Sequence, residues 1–139
     1  MLIKIHPYDV EVWRPRVEHL LQIAANRSRG KETVAYYLSQ AGRDKMQLWV
    51  YVNAQDVVLM AMLTGFVYYP GYRAVRGVAM AGEMLPEWLA ETAKTIEQWA
   101  ISQGCGGIEC ITRPGMARGL RELGYTETHR IFEKALLEA

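Results

Sequence analysis

The chain has 139 residues, with 16 Lys plus Arg against 15 Asp plus Glu and a formal net charge of +1. That length suits one domain with a sizeable core, and the 50% apolar and 22% charged composition excludes a disordered or low-complexity chain. The near-balance of charge removes the broad basic footprint of a nucleic-acid binder, and no apolar run approaches the roughly 18 residues a membrane helix needs.

Leu2-Ile3-Lys4-Ile5 reads as a short strand stopped by Pro7. Pro15 suits the first turn of a helix, and Val17, Leu20, Leu21 and Ala24 follow at the spacing of one buried stripe. A second helix opens at Thr33, buries Val34, Tyr37, Leu38 and Ala41, and meets Gly42 where a left-handed end residue is wanted. The period then changes. Gln47–Val52 and Val57–Tyr69 read as strands, with a bulge or close backbone approach expected at Gly65. The Pro70-Gly71 pair marks a tight turn, and Tyr72–Ala81 returns as a further strand of an antiparallel meander.

Pro86 and Glu87 open a helix whose stripe is Leu89, Ala93, Ile96, Trp99 and Ala100, ended by Gly104. Gly107–Thr112 is a strand, so a crossover and one parallel pairing are required. Pro114 begins a short helix closed by Gly124, and Tyr125–Lys134 is expected as a last strand. The reading is a mixed α/β fold of one domain spanning residues 1–139, in the order β-α-α-β-β-β-α-β-α-β. With two cysteines, Cys105 and Cys110, no disulfide scaffold or zinc motif is available, and Cys110 is expected in the core. The opening residues lack a signal-peptide core, so a cytoplasmic protein is expected.

That element order resembles the GNAT superfamily of N-acetyltransferases. The stretch Met116–Tyr125, a short helix ending in a Gly-Tyr pair, and the segment Trp88–Ile111 carry the resemblance. It implies acetyl-CoA as cofactor, with the pantetheine arm on the backbone of Val78, Ala79 and Met80 and with Gly82 beside the diphosphate. The diphosphate would sit on the helix start at Met84–Leu89, where orphan amides and the helix dipole favour an anion. The sequence there departs from the family's arginine or glutamine followed by Gly-x-Gly: it has no glycine, arginine or glutamine, Pro86 removes a donor, and Glu83 and Glu87 add negative charge. Leu120 stands where many members have a proton-donating tyrosine, and Arg113 where an asparagine often opens the helix. Members commonly have two strands after the Gly-aromatic pair, whereas only one fits here.

Glu83 and His129 are the candidate bases, each against a plain solvated alternative. Arg113, Arg118 and Arg121 are candidates to hold a phosphate or carboxylate, and Tyr68, Tyr69 and Tyr72 are candidate interface anchors at a hairpin tip. Two functions follow. The first is a GNAT-type N-acetyltransferase with weak or lost acetyl-CoA binding, acting on a primary amine if active. The second is a non-catalytic accessory protein, since Arg113–Tyr125 also resembles short GNAT-like proteins of phage and prophage genomes. Its expected partner is an unidentified protein or a homo-oligomer; neither a membrane nor nucleic acid is expected.

Overall fold

The computed structural model describes residues 1–137. Five strands form one sheet in sequence order: β1 (Leu2–Ile5), β2 (Gln47–Val52), β3 (Val58–Tyr68), β4 (Arg73–Gly82) and β5 (Gly107–Cys110). The first four pair antiparallel and β5 joins β4 in parallel. Helices α1 (Val10–Arg27) and α2 (Val34–Gly42) precede β2, α3 (Leu85–Ser102) links β4 to β5, and α4 (Pro114–Glu122) follows β5.

Alternation along the strands divides the apolar side chains between two faces. Leu48, Val50, Ala61, Leu63 and Ala81 join Val17, Leu21, Tyr37 and Leu38 under α1 and α2. Trp49, Met60, Met62 and Val75 pack instead against Trp88, Ile96 and Ala100 of α3. The second layer holds a buried polar chain: Trp49 Nε1 donates to Thr64 Oγ1 at 2.9 Å, and that hydroxyl donates to Gln47 Oε1 at 2.8 Å.

The sequence differs from the structure at identifiable places. Helix α1 begins at Val10 and carries Pro15 in its interior, because Pro7–Asp9 form a 3-10 turn that starts the spiral early. The left-handed residue after α2 is Asp44, φ 58°, so Gly42 stays helical. Residues 125–134 form no strand. They make no ladder with β5, and their outward side chains are exposed. Cys110 is accordingly exposed and not a core residue, since among the described residues nothing pairs beyond β5 to cover it.

Two tyrosines give the fold a pH limit. Tyr37 is fully buried and donates to Glu32, and Tyr125 donates to Glu97 Oε2 at 2.9 Å. Burial first, and then the adjacent carboxylate, pushes each hydroxyl well above the ordinary value of 10.0. The folded state therefore holds these protons more tightly than the unfolded chain. Their contribution is complete below pH 10 and is lost as pH rises above it. The melting temperature is expected to fall between about pH 9 and about pH 11, and Tyr37→Phe to flatten that slope in a calorimetric series.

Candidate functional site

The site is built by one extra residue. Leu63 and Thr64 are consecutive on β3, yet their partners on β4 are Ala79 and Gly77, so Val78 is the inserted residue of a bulge. Val78 and Ala79 consequently both pack toward the α1–α2 layer, while Met80 turns to the α3 layer. The bulge lies one position before Gly65 and its extra residue is on the opposite strand from the one the sequence suggested.

A bulge bends its strand and increases the local twist. On the other side of β4, pairing with β5 runs from Ala74↔Gly107 to Gly77↔Cys110 and then stops. A Cβ at Gly77 in this last pair would lie 3.2 Å from the Cβ of Cys110, a tight contact that the two strands would have to ease by a few tenths of an ångström. From Val78 to Gly82, β4 is paired on its β3 side only. The ladder between the two strands ends at the bulge, and from there to Gly82 the side of β4 that faced β5 has no strand partner among the described residues.

After Gly82 the chain turns into α3 through a tightly held loop. Gly82 lies against β3: a Cβ would meet Leu59 O at 2.5 Å and Met60 Cβ at 2.8 Å. Glu83 N donates to Leu59 O at 2.8 Å, and the indole of buried Trp88 donates to Glu83 O at 2.6 Å. Both main-chain groups of Glu83 are thus engaged and its side chain is exposed. Met84 adopts a left-handed conformation, φ 59°, which costs a side-chain-bearing residue about 1 kcal/mol. Glu87 N donates to Met84 O, and Pro86 has no donor. Among the described residues, the amides of Met84 and Leu85 are left without a partner in the chain. The helix start therefore offers two donors to an anion, with Glu87 exposed in its first turn.

After its pairing with β4, β5 leads to Arg113, the residue before α4. Arg113 is exposed and makes no ion pair among the described residues, whereas Arg118 and Arg121 are taken by Glu122 and Glu127. Leu120 brings no acid to this helix, and Gly119 faces α3 so closely that a Cβ would stand 2.7 Å from Leu89 Cδ2. His129 lies in the exposed segment after α4, where Nδ1 and Thr128 Oγ1 are 2.9 Å apart; no hydrogen bond links it to Glu83. His6 and His19 are exposed as well, and no cluster of His, Cys, Asp and Glu suits a metal ion among the described residues.

The tyrosine tip is tied to β5. The Tyr72 ring lies across Gly106 and Gly107, where added Cβ atoms would approach it to 2.9 and 3.1 Å. Tyr69 donates to Glu109 at 2.7 Å, and Arg76 bonds the same carboxylate at 3.0 Å. Arg73 stacks 4.6 Å from the Phe66 centroid and donates to Gln103 O. Tyr69 and Tyr72 thus brace the paired end of β4 and β5, and Tyr68 alone stands mostly free. A separate cavity of about 310 Å³ lies between the end of α3, the start of β5 and Tyr125.

No protein-family model matches the sequence, and no curated protein matches it. Solved structures do match by shape. A probable acetyltransferase superposes at a TM-score of 0.71 and 8% identity, over 100% of this chain and 98% of the other. An aminoglycoside N-acetyltransferase, AAC(6')-Iy, in complex with CoA gives 0.66 and 15%, over 99% and 95%. A predicted acetyltransferase from Clostridium acetobutylicum with acetyl-CoA gives 0.63 and 12%, over 98% and 96%. The chain has the GNAT fold. At these identities the likeness is one of fold alone, and the divided β4–β5 pair is the feature of this GNAT-fold chain on which a function has to be built. No helix among the described residues is long and apolar enough to cross a membrane.

Proposed function

We propose that the chain is an acetyl-CoA-dependent N-acetyltransferase that holds its cofactor weakly and acetylates a primary amine in the cleft between β4 and β5. The observation that carries this is the free edge of β4 from Val78 to Gly82, opened by the bulge at Val78. Val78, Ala79 and Met80 have main-chain donors and acceptors on a side of β4 that no strand covers, and an extended pantetheine arm with its amides could bond them as an added strand would. Bound acetyl-CoA would supply an activated acetyl thioester beside this edge.

The fit is poorer for the diphosphate. Two free amides and the helix dipole favour an anion at Met84 and Leu85, but Pro86 removes a donor. Glu83 and Glu87 oppose the charge, at about 1 kcal/mol for each carboxylate near 5 Å in a wet site. Gly82 closes the strand next to this loop, and Arg113, the exposed residue before α4, which makes no ion pair among the described residues, would supply a cation. Glu83, with its backbone fixed and its carboxylate exposed, is positioned to take the amine proton. His129 is the second candidate for that proton, reached through the segment after α4. Leu120 has no proton to give, so the departing thiolate would be protonated by water.

Titration calorimetry with CoA tests the reading. Binding is expected in the weak micromolar to millimolar range, with Arg113→Ala weakening it about tenfold, the equivalent of one charge-assisted contact. Glu87→Gln is expected to tighten it about fivefold by removing a like charge. Thiol release with a panel of primary amines checks turnover, and Glu83→Gln is expected to lower it at least a hundredfold if Glu83 is the base. A native chain that shows neither heat nor thermal shift at millimolar acetyl-CoA supports the second reading. That is a non-catalytic accessory protein on the same fold, favoured by Pro86 and Glu87 in the anion loop and by Leu120 in α4.

A further inference from the structure

The cavity of about 310 Å³ is walled by the last turns of α3, the start of β5 and the residues that close α4. Ala100, Ile101, Ile108 and Leu123 make it largely apolar. Glu97 brings the single formal charge among its lining residues, and Tyr125 donates to Glu97 Oε2 at 2.9 Å. Glu97 is half-buried, yet no cation answers it among the described residues. Arg73 is spent on Gln103 O, Arg121 on Glu127 and Arg118 on Glu122, and Lys94, three residues earlier on α3, is exposed without an ion pair.

We infer that this cavity binds a small organic cation, a primary ammonium on a short aliphatic body, with Glu97 as its counter-ion. The volume lies at the lower end of the roughly 300–1,000 Å³ of small-molecule sites, which suits a short body. Tyr125 keeps its proton at neutral pH, so it fixes the carboxylate as a neutral donor and leaves Glu97 Oε1 for the ligand. Selectivity follows from desolvation. Any guest that fills the apolar space displaces water from Glu97, and only one that carries a positive charge and N–H donors replaces what the carboxylate loses. A carboxylate guest would be repelled. No second carboxylate or imidazole lines the space, so a metal ion has no ligand set there.

The site is separate from the unpaired edge of β4. It touches Gly107, which pairs with Ala74, whereas the β4–β5 ladder stops at Gly77↔Cys110, about 10 Å further along β5. A guest there contacts α3, β5 and the end of α4 together and is expected to hold them against one another.

Calorimetric titration of the full chain with hexylammonium chloride, 1-hexanol and hexanoate tests the inference. The ammonium is expected to bind about tenfold more tightly than the alcohol, and hexanoate more weakly than either. Glu97→Gln keeps an acceptor for Tyr125 and is expected to retain native circular dichroism while abolishing the advantage of the ammonium. Cys105 lines the cavity and reports occupancy in a Cys110→Ser background. Hexylammonium is expected to slow its alkylation by iodoacetamide about fivefold at saturation, and a cationic methanethiosulfonate is expected to lose its advantage over an anionic one on Glu97→Gln. Equal binding of ammonium and alcohol overturns the inference. So does a preference for the ammonium that survives Glu97→Gln, an unprotected Cys105, or the absence of binding at millimolar hexylammonium. None of these readouts requires CoA, so this inference and the acetyltransferase reading fail by different measurements.

Discussion

Thr64→Val is expected to cost about 2–4 kcal/mol of stability while leaving the shape of the side chain almost unchanged. Thr64 is 1% exposed, and its hydroxyl is the middle of the chain that runs from the Trp49 indole to the Gln47 carbonyl. Valine cannot accept from Trp49 or donate to Gln47, so two buried polar groups lose their partner at about 1–3 kcal/mol each. At roughly 3–4 °C per kcal/mol for a chain of this size, the melting temperature should drop by about 10 °C. Thr64→Ser keeps the hydroxyl and gives up one methyl, about 1 kcal/mol, so the gap between the two variants isolates the hydrogen bonds. Thr64 also pairs with Gly77 at the step where the bulge begins. The valine variant is therefore expected to loosen the division of β4 from β5 and to weaken CoA binding more than its distance from the cleft suggests.

The parts of this fold that local chemistry governs were legible in the sequence. Gly104 and Gly124 end their helices with φ of 74° and 91°, the conformation that an unbranched Cα accepts without strain. Pro70-Gly71 joins β3 to β4, with Tyr69 N bonded to Tyr72 O across the turn. What escaped depends on neighbours distant in the chain. The bulge residue Val78 sits in a run, Val78-Ala79-Met80-Ala81, whose apolar character is continuous, so no break in alternation marks where the extra residue enters. Residues 125–134 have the composition of a strand, but a strand exists only where an edge pairs with it, and among the described residues none does. The same holds for Cys110, since a core position on β5 presupposes a covering strand. At the site, the departures at Pro86, Glu87 and Leu120 were visible as residue identities. The engagement of Glu83 by Leu59 and Trp88, which leaves Met84 and Leu85 as the free donors, required the structure.

Gly82→Ala is the substitution expected to damage fold and site together. The added methyl would stand 2.5 Å from Leu59 O and 2.8 Å from Met60 Cβ, and the first of these is main chain that cannot swing aside. Relief requires the end of β4 to move off β3, which stretches the Glu83 N to Leu59 O bond of 2.8 Å. Overpacking of this kind costs about 1–3 kcal/mol, and a broken buried hydrogen bond adds about 1 kcal/mol. A fall in melting temperature of about 6–12 °C is expected in a thermal scan. The loop from Glu83 to Leu85 hangs from this contact and from the Trp88 indole, so its two free amides lose their fixed direction when one support goes. CoA affinity is then expected to fall by about tenfold even where the variant remains fully folded, the equivalent of about 1.4 kcal/mol. Met84→Gly, which accepts φ of 59° without strain and leaves both supports in place, should instead retain or raise stability slightly and bind CoA as the native chain does. A Gly82→Ala protein that melts lower yet binds CoA unchanged would separate the loop from the anion site and place the diphosphate elsewhere.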